Sequence, residues 1–75
     1  MKVTYDVSAD AAYFLLVDEV GAGEVERTYL CDAAEIGGMV NIDLDRGGRI
    51  IGIEVLTASA LLSSDLLNSA EQLST

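Results

Sequence analysis

The chain has 75 residues, 51% of them hydrophobic, and its 13 acidic and 4 basic side chains give a formal net charge of −9. This length fits one domain, expected over residues 1–75, that buries only about 60% of the surface its unfolded chain exposes. The charge disfavours nucleic acid and anionic membranes, because no Lys/Arg cluster offsets it locally, and it steers basic proteins or cations toward the surface.

Val3, Tyr5 and Val7 alternate with Thr4 and Asp6, which predicts a half-buried strand over about 2–7. Asp6 to Asp10 supply the short polar side chains of a turn. A second strand is expected over about 11–17. Its Ala12–Val17 stretch is apolar on both faces, as in a central strand or a subunit interface. Gly21 and Gly23 mark a loop. A third strand over about 24–31 has the mixed charges of a sheet edge. Asp32 to Gly38 reads as loop, since Gly37-Gly38 would stop a helical turn capped by Asp32.

Val40, Ile42 and Leu44 alternate with Asn41, Asp43 and Asp45 in a fourth strand over about 39–44. Asp45-Arg46-Gly47-Gly48 closes a hairpin onto a fifth strand over about 49–56, with Ile51, Ile53 and Val55 facing inward. From Ala58 the period changes. Ala58–Leu62 forms a single turn, Ser63-Ser64 interrupts it, and a helix is expected over about 64–73 on the spacing of Leu66, Leu67, Ala70 and Leu73. The resulting fold class is α+β: an antiparallel β-meander of about five strands with a C-terminal helix packed on one sheet face.

Tyr5, Asp6, Asp10 and Tyr13 spell Tyr-Asp-x-x-x-Asp-x-x-Tyr, and an acidic-glycine hairpin then runs into Gly52-Ile53-Glu54-Val55-Leu56 followed by Ala58-Ser59. In this combination and order the chain resembles a family of small bacterial proteins known as domain of unknown function 2283, over most of residues 1–62. Val7-Ser8 stands where the family often has Pro-Glu, Arg46-Gly47-Gly48 lengthens the usual turn, and Asp32–Gly38 matches no family signature. The resemblance implies a compact sheet-plus-helix fold and brings with it no activity, catalytic residue or cofactor.

Several residue groups have the spacing of known sites. Asp43-x-Asp45-x-x-Gly48-x-Ile50-x-x-x-Glu54 has the spacing of an EF-hand calcium loop. Its fifth position is Gly47, which lacks a ligand oxygen, and strands rather than helices flank it, so it reads as a polar face beside a tight turn. The pairs Asp6/Asp10 and Asp43/Asp45 read as turn chemistry rather than acid–base pairs. Cys31 has no histidine to activate it, with Arg27 the nearest basic residue in sequence, and reads as a half-buried strand residue. Neither Gly21/Gly23 nor Gly47/Gly48 precedes a helix that would receive a phosphate. No catalytic, cofactor-binding or metal-binding residue is assigned.

Cys31 is the only cysteine, so no disulfide can form within the chain, and without histidine a metal cage is poorly supplied. Oligomerisation is the remaining supplement for so small a core, and a homo-oligomer, preferably a dimer, is expected. Met1-Lys2-Val3-Thr4-Tyr5-Asp6 reaches an acid too early for a secretory apolar region, and no apolar run approaches the roughly 20 residues of a membrane span. With a lone thiol, this points to the cytoplasm. The functional expectation is a non-enzymatic, self-associating interaction module that also suits a basic partner. One alternative is an antitoxin-like neutraliser of a small basic protein. The other is a small carboxylate-dependent enzyme or metal-binding domain.

Overall fold

A computed structural model describes residues 1–21 and 23–73. Its elements in chain order are β1 (Lys2–Asp6), β2 (Ala11–Leu15), β3 (Arg27–Leu30), α1 (Ala33–Ile36), β4 (Val40–Leu44), β5 (Ile50–Leu56), α2 (Ala58–Leu61), α3 (Ser64–Ser69) and β6 (Glu71–Leu73). The six strands form one sheet in the order β3-β4-β5-β2-β1-β6. The fold is α+β, and the five-stranded antiparallel meander is corrected on three points.

First, β2 pairs with β5, not with β3. Alternation along a strand fixes which residues share a face but says nothing about which later strand will lie alongside. The connection from β2 therefore passes the β4–β5 turn, where Glu26 N–H donates to Leu44 C=O, before β3 starts at Arg27. Second, the helix expected over 64–73 ends at Ser69. Ala70 turns extended at φ −72° and ψ 157°, and residues 71–73 become β6, parallel to β1. The leucine spacing is compatible with a longer helix, but the outer edge of β1 offers main-chain partners that a continued helix would leave unmet. Gln72 holds the reversal, its Nε2 donating to Leu67 C=O at 2.8 Å and Ala70 C=O at 2.9 Å. Third, residues 33–36 of the expected loop form one helical turn. Asp32 caps it by accepting from Ala34 N–H at 2.9 Å, and Gly37 ends it at φ 82°.

Period-2 alternation gives the sheet two different faces. On one, Tyr5, Ala12, Val55 and Val40 line up across four strands, with Phe14, Ile53 and Ile42 in the next row. α2 and α3 cover the middle of this face, so that Ala12, Val55, Ala58 and Leu67 form the buried core, with Leu61 and Leu62 packed against it. A bulge between Asp43 and Leu44 leaves Ile51 as the extra residue of β5, 3% exposed, while its neighbour Ile50 is 48% exposed. Ser63 caps α3 through its hydroxyl, which accepts from Leu66 N–H at 3.2 Å.

Among the described residues no helix is packed on the opposite face, which is polar at its centre. Each of the two turns beside it is organised by an aspartate that accepts from the backbone following it. Asp45 Oδ1 accepts from Gly47 N–H and Arg49 N–H, both at 2.9 Å, and Gly48 takes φ 81° to close the hairpin. Asp6 Oδ1 accepts from Ser8 N–H, Ser8 Oγ and Ala9 N–H in the first turn.

Candidate functional site

Two hydrogen-bonded clusters hold most of the polar side chains that carry the sequence signature. The first lies at one end of the sheet, around Asp10. This residue leaves the β1–β2 turn in the left-handed region, at φ 51°, a conformation that aspartate tolerates better than most residues. Its Oδ1 accepts from the Tyr5 hydroxyl at 2.7 Å and from Ser59 N–H at 2.9 Å, and its Oδ2 accepts from Ser59 Oγ at 2.7 Å. Its carbonyl accepts from Ala58 N–H at 2.9 Å. Thr57, the residue preceding α2, makes no side-chain cap of its own. Asp10 thus caps α2 from 49 residues away. These bonds, the Tyr5 hydroxyl first, hold the Asp10 carboxyl below its ordinary range, and the same contact pushes the Tyr5 phenol up.

The second cluster crosses the open polar face. Tyr13 on β2 lies opposite Glu54 on β5, and its ring leans over Gly52 to reach β4. There its hydroxyl donates to Asp43 Oδ2 at 2.7 Å. Asp43 Oδ1 accepts from Thr28 Oγ1 on β3, also at 2.7 Å, so one carboxylate links β2, β3 and β4 across the intervening β5. A Cβ at position 52 would collide with the Tyr13 hydroxyl and ring, which is why glycine interrupts the isoleucine run of β5. Beside this cluster, Asn41 Nδ2 donates to Glu54 Oε1 at 3.1 Å, and its buried Oδ1 lacks a hydrogen-bond partner. Burial first, then the bond to Asp43 and the negative charges of Asp43 and Glu54, push the Tyr13 phenol up to about 12. Such a phenol stays protonated at neutral pH and remains committed as a donor to Asp43.

The acidic residues of these motifs therefore play different parts. Asp6 and Asp45 are turn residues, as their spacing suggests. Asp43 is corrected, since it sits within β4 and bridges strands, whereas Asp10 is a turn residue that also joins the first hairpin to α2. The EF-hand spacing folds as a hairpin in which Asp43 pairs with Gly52 and Glu54 with Asn41, so the two acids lie diagonally on one sheet face instead of wrapping a loop. Cys31 is half-buried just beyond β3, with its N–H donating to Val40 C=O at 2.9 Å. Arg46 lies 3.8 Å from Glu26 beside a shallow depression lined by Gly23, Glu24 and Asp45. Among the described residues, no three of the His, Cys, Asp and Glu side chains are placed to hold a metal ion together.

The contact between Tyr13 and Asp43 escapes a reading of the chain by segments, because it joins residues thirty apart through a glycine on a third strand. The one signal for it is Gly52 itself, a lone glycine among β-branched residues, which marks a close approach.

Residues 2–59 match the family model described as "Protein of unknown function (DUF2283)". The chain belongs to this family. Comparison with curated proteins and with solved structures found no match. In this DUF2283 chain the signature residues Tyr5, Asp10 and Ser59 make up the first cluster, and Tyr13, Gly52 and Glu54 contribute to the second. The matched segment runs through β5 and into the start of α2, and so spans both clusters. Among the described residues no helix is long and apolar enough to cross a membrane.

Proposed function

We propose that this DUF2283 chain is a non-enzymatic interaction module that associates with itself through the sheet. The observation that carries the reading is the exposure of the β3 side. Every residue of β3 is exposed, Tyr29 at 60% and Leu30 at 64%, and Val25, Ile36 and Met39 in the flanking connections are exposed as well. Large apolar side chains left exposed along this edge, on both faces of the strand, support its use as an interaction surface. Light scattering at tens of micromolar, a range set by ordinary protein affinities, is expected to give twice the chain mass. A mass of one chain across that range overturns the proposal.

The net charge of −9 favours a second reading, an antitoxin-like neutraliser of a small basic protein, drawn in by steering. Its test is co-purification of a basic protein that dissociates at high salt. The carboxylate-dependent enzyme or metal-binding reading has less support, because Asp6, Asp10, Asp43 and Asp45 already accept hydrogen bonds from the protein. A true cation site would raise the melting temperature visibly once the ion exceeds its dissociation constant many-fold. Millimolar calcium or magnesium, an order-of-magnitude choice on the same reasoning, is expected to leave it unchanged. The proposal places the protein in the reducing cytoplasm of a bacterium. The lone thiol of Cys31 and the family resemblance support that setting.

A further inference from the structure

We infer that the self-association proposed above, on which this inference rests, is edge pairing. Two copies join β3 to β3 in antiparallel fashion about a two-fold axis at Tyr29, making one continuous twelve-stranded sheet from two six-stranded ones. The occupant of the β3 edge is a second copy of this chain.

Three observations carry this. β3 is a terminal strand of the sheet, and its inner side is taken: Cys31 N–H donates to Val40 C=O, with Tyr29 opposite Ile42 and Arg27 opposite Leu44. By the two-residue alternation of an antiparallel ladder, the N–H and C=O groups of Thr28 and Leu30 then point away from the sheet, ready to pair. Placing Thr28 against Leu30 of the second copy, and Leu30 against its Thr28, satisfies all four outward groups on each strand. This register also centres the contact on Tyr29, whose exposed ring meets its own copy across the axis.

The second observation limits the ladder. Glu26 N–H already donates to Leu44 C=O, which breaks the alternation just before β3 and leaves residues 27–31 as the stretch available for pairing.

Charge is the third. In a chain with 13 acids and 4 bases, residues 27–31 (Arg-Thr-Tyr-Leu-Cys) contain one cation and no carboxylate. Across residues 27–31 two copies therefore meet without setting acid against acid, which is disfavoured between cross-strand neighbours, and Glu26 and Asp32 fall just outside the paired stretch. β6, the other edge, has three residues and includes Glu71, which already faces Lys2 of β1 at 3.7 Å.

The register makes a covalent test possible. With Tyr29 on the axis, position 27 of one copy lies opposite Cys31 of the other, within the Cα separation a disulfide spans. Within one chain the two positions are roughly 13 Å apart along the strand and cannot bridge. Arg27→Cys is therefore expected to convert to a covalent dimer under mild oxidation, while Arg27→Cys with Cys31→Ser does not. Leu30→Pro removes an outward N–H that the sheet of one copy does not use, so it is expected to leave the melting transition in place and give a single-chain mass. If that variant fails to fold, amide exchange on the unaltered chain decides. Thr28 and Leu30 amides are expected to exchange at least about tenfold more slowly in concentrated than in dilute samples, the change that follows tenfold occupancy of the paired state.

A double mass that persists in Leu30→Pro, without cross-linking and without concentration-dependent protection at Thr28 and Leu30, overturns edge pairing and leaves self-association by another face. A single-chain mass for the unaltered protein overturns both. A single-chain mass that changes only when a basic protein is added does the same and assigns the surface to that partner.

Discussion

At the scale of single residues, the most constrained position is Gly52. It lies under the Tyr13 ring, on the path by which the hydroxyl reaches Asp43. Gly52→Ala is expected to destabilise the fold by about 1–3 kcal/mol, the range for overpacking a well-filled site. Adding Tyr13→Phe should recover part of that loss, since the colliding hydroxyl is then gone. A denaturant melt of the two single variants and the double variant measures the coupling, and strict additivity would show that the two residues do not share the space described. The same cluster sets a titration. Burial and the neighbouring carboxylates raise the Tyr13 phenol to about 12 in the folded state, above its ordinary value of 10.0. Its contribution to stability is therefore complete below about pH 10 and is lost as pH rises through about 12. An ultraviolet titration of the native protein is expected to show a tyrosine phase near 12 that Tyr13→Phe removes; the same phase surviving in the variant would assign it elsewhere. Of this site, the sequence made the residue types legible but not their association. Asp43 stands two residues from the Asp45-Arg46-Gly47-Gly48 turn and looks like part of it, yet the strand register places it beside Thr28 and within reach of Tyr13.

At the scale of elements, the second hairpin follows local rules closely. Asp45 organises the turn through its side chain, and Gly48 adopts the one conformation that a β-branched residue resists. Gly48→Val is expected to cost about 1–3 kcal/mol in a denaturant melt. Gly47, which lacks a positive φ, should accept alanine with a smaller loss; the reverse ranking would mean a different turn. Strands were legible wherever alternation is strong, as in Val40, Ile42 and Leu44 or Ile51, Ile53 and Val55. The tail was not. Leu66, Leu67, Ala70 and Leu73 satisfy a helical period through the last residue, but Leu73 ends in β6 and is 41% exposed. What decides its fate is the vacant edge of β1, sixty-odd residues away in sequence, and no local period reports that. The same holds for β2: its two apolar faces mark a central strand, and central it is, yet its second neighbour could not be read from them.

At the scale of the whole molecule, the bonds around Asp10 fasten the first hairpin to the segment that leads into the C-terminal helices. Hydrogen bonds to Tyr5 and then Ser59 hold the Asp10 carboxyl below its ordinary value of 3.8. A depressed carboxyl adds stability that is present above that ordinary value and disappears as pH falls through the folded one. Asp10→Asn is thus expected to be less stable than the parent chain near neutral pH, with the gap narrowing as the solution is acidified below about pH 4. Urea midpoints for both chains at several pH values check this, and a gap that stays constant into acid would locate the loss in shape rather than charge. Association adds a condition at this scale. With a net charge of −9 on each copy, any dimer works against long-range repulsion that salt screens, so moderate salt strengthens pairing between copies and weakens capture of a basic protein.

The pairing of β2 with β5 has a kinetic consequence. During synthesis the chain offers two units built from near neighbours, the β1–β2 hairpin and the β3–β4–β5 run, and neither completes the core alone. The seam between them, where Ala12 meets Val55 and Phe14 meets Ile53, closes only after some forty intervening residues have been made. Until then β2 has one main-chain edge bare in the middle of the future sheet. Folding is therefore gated by one long-range zipping event, after which α2, α3 and β6 fall into place behind it. In stopped-flow mixing, trimming Ile53 to valine should slow folding, whereas shortening Leu73 should act almost wholly on the rate of unfolding.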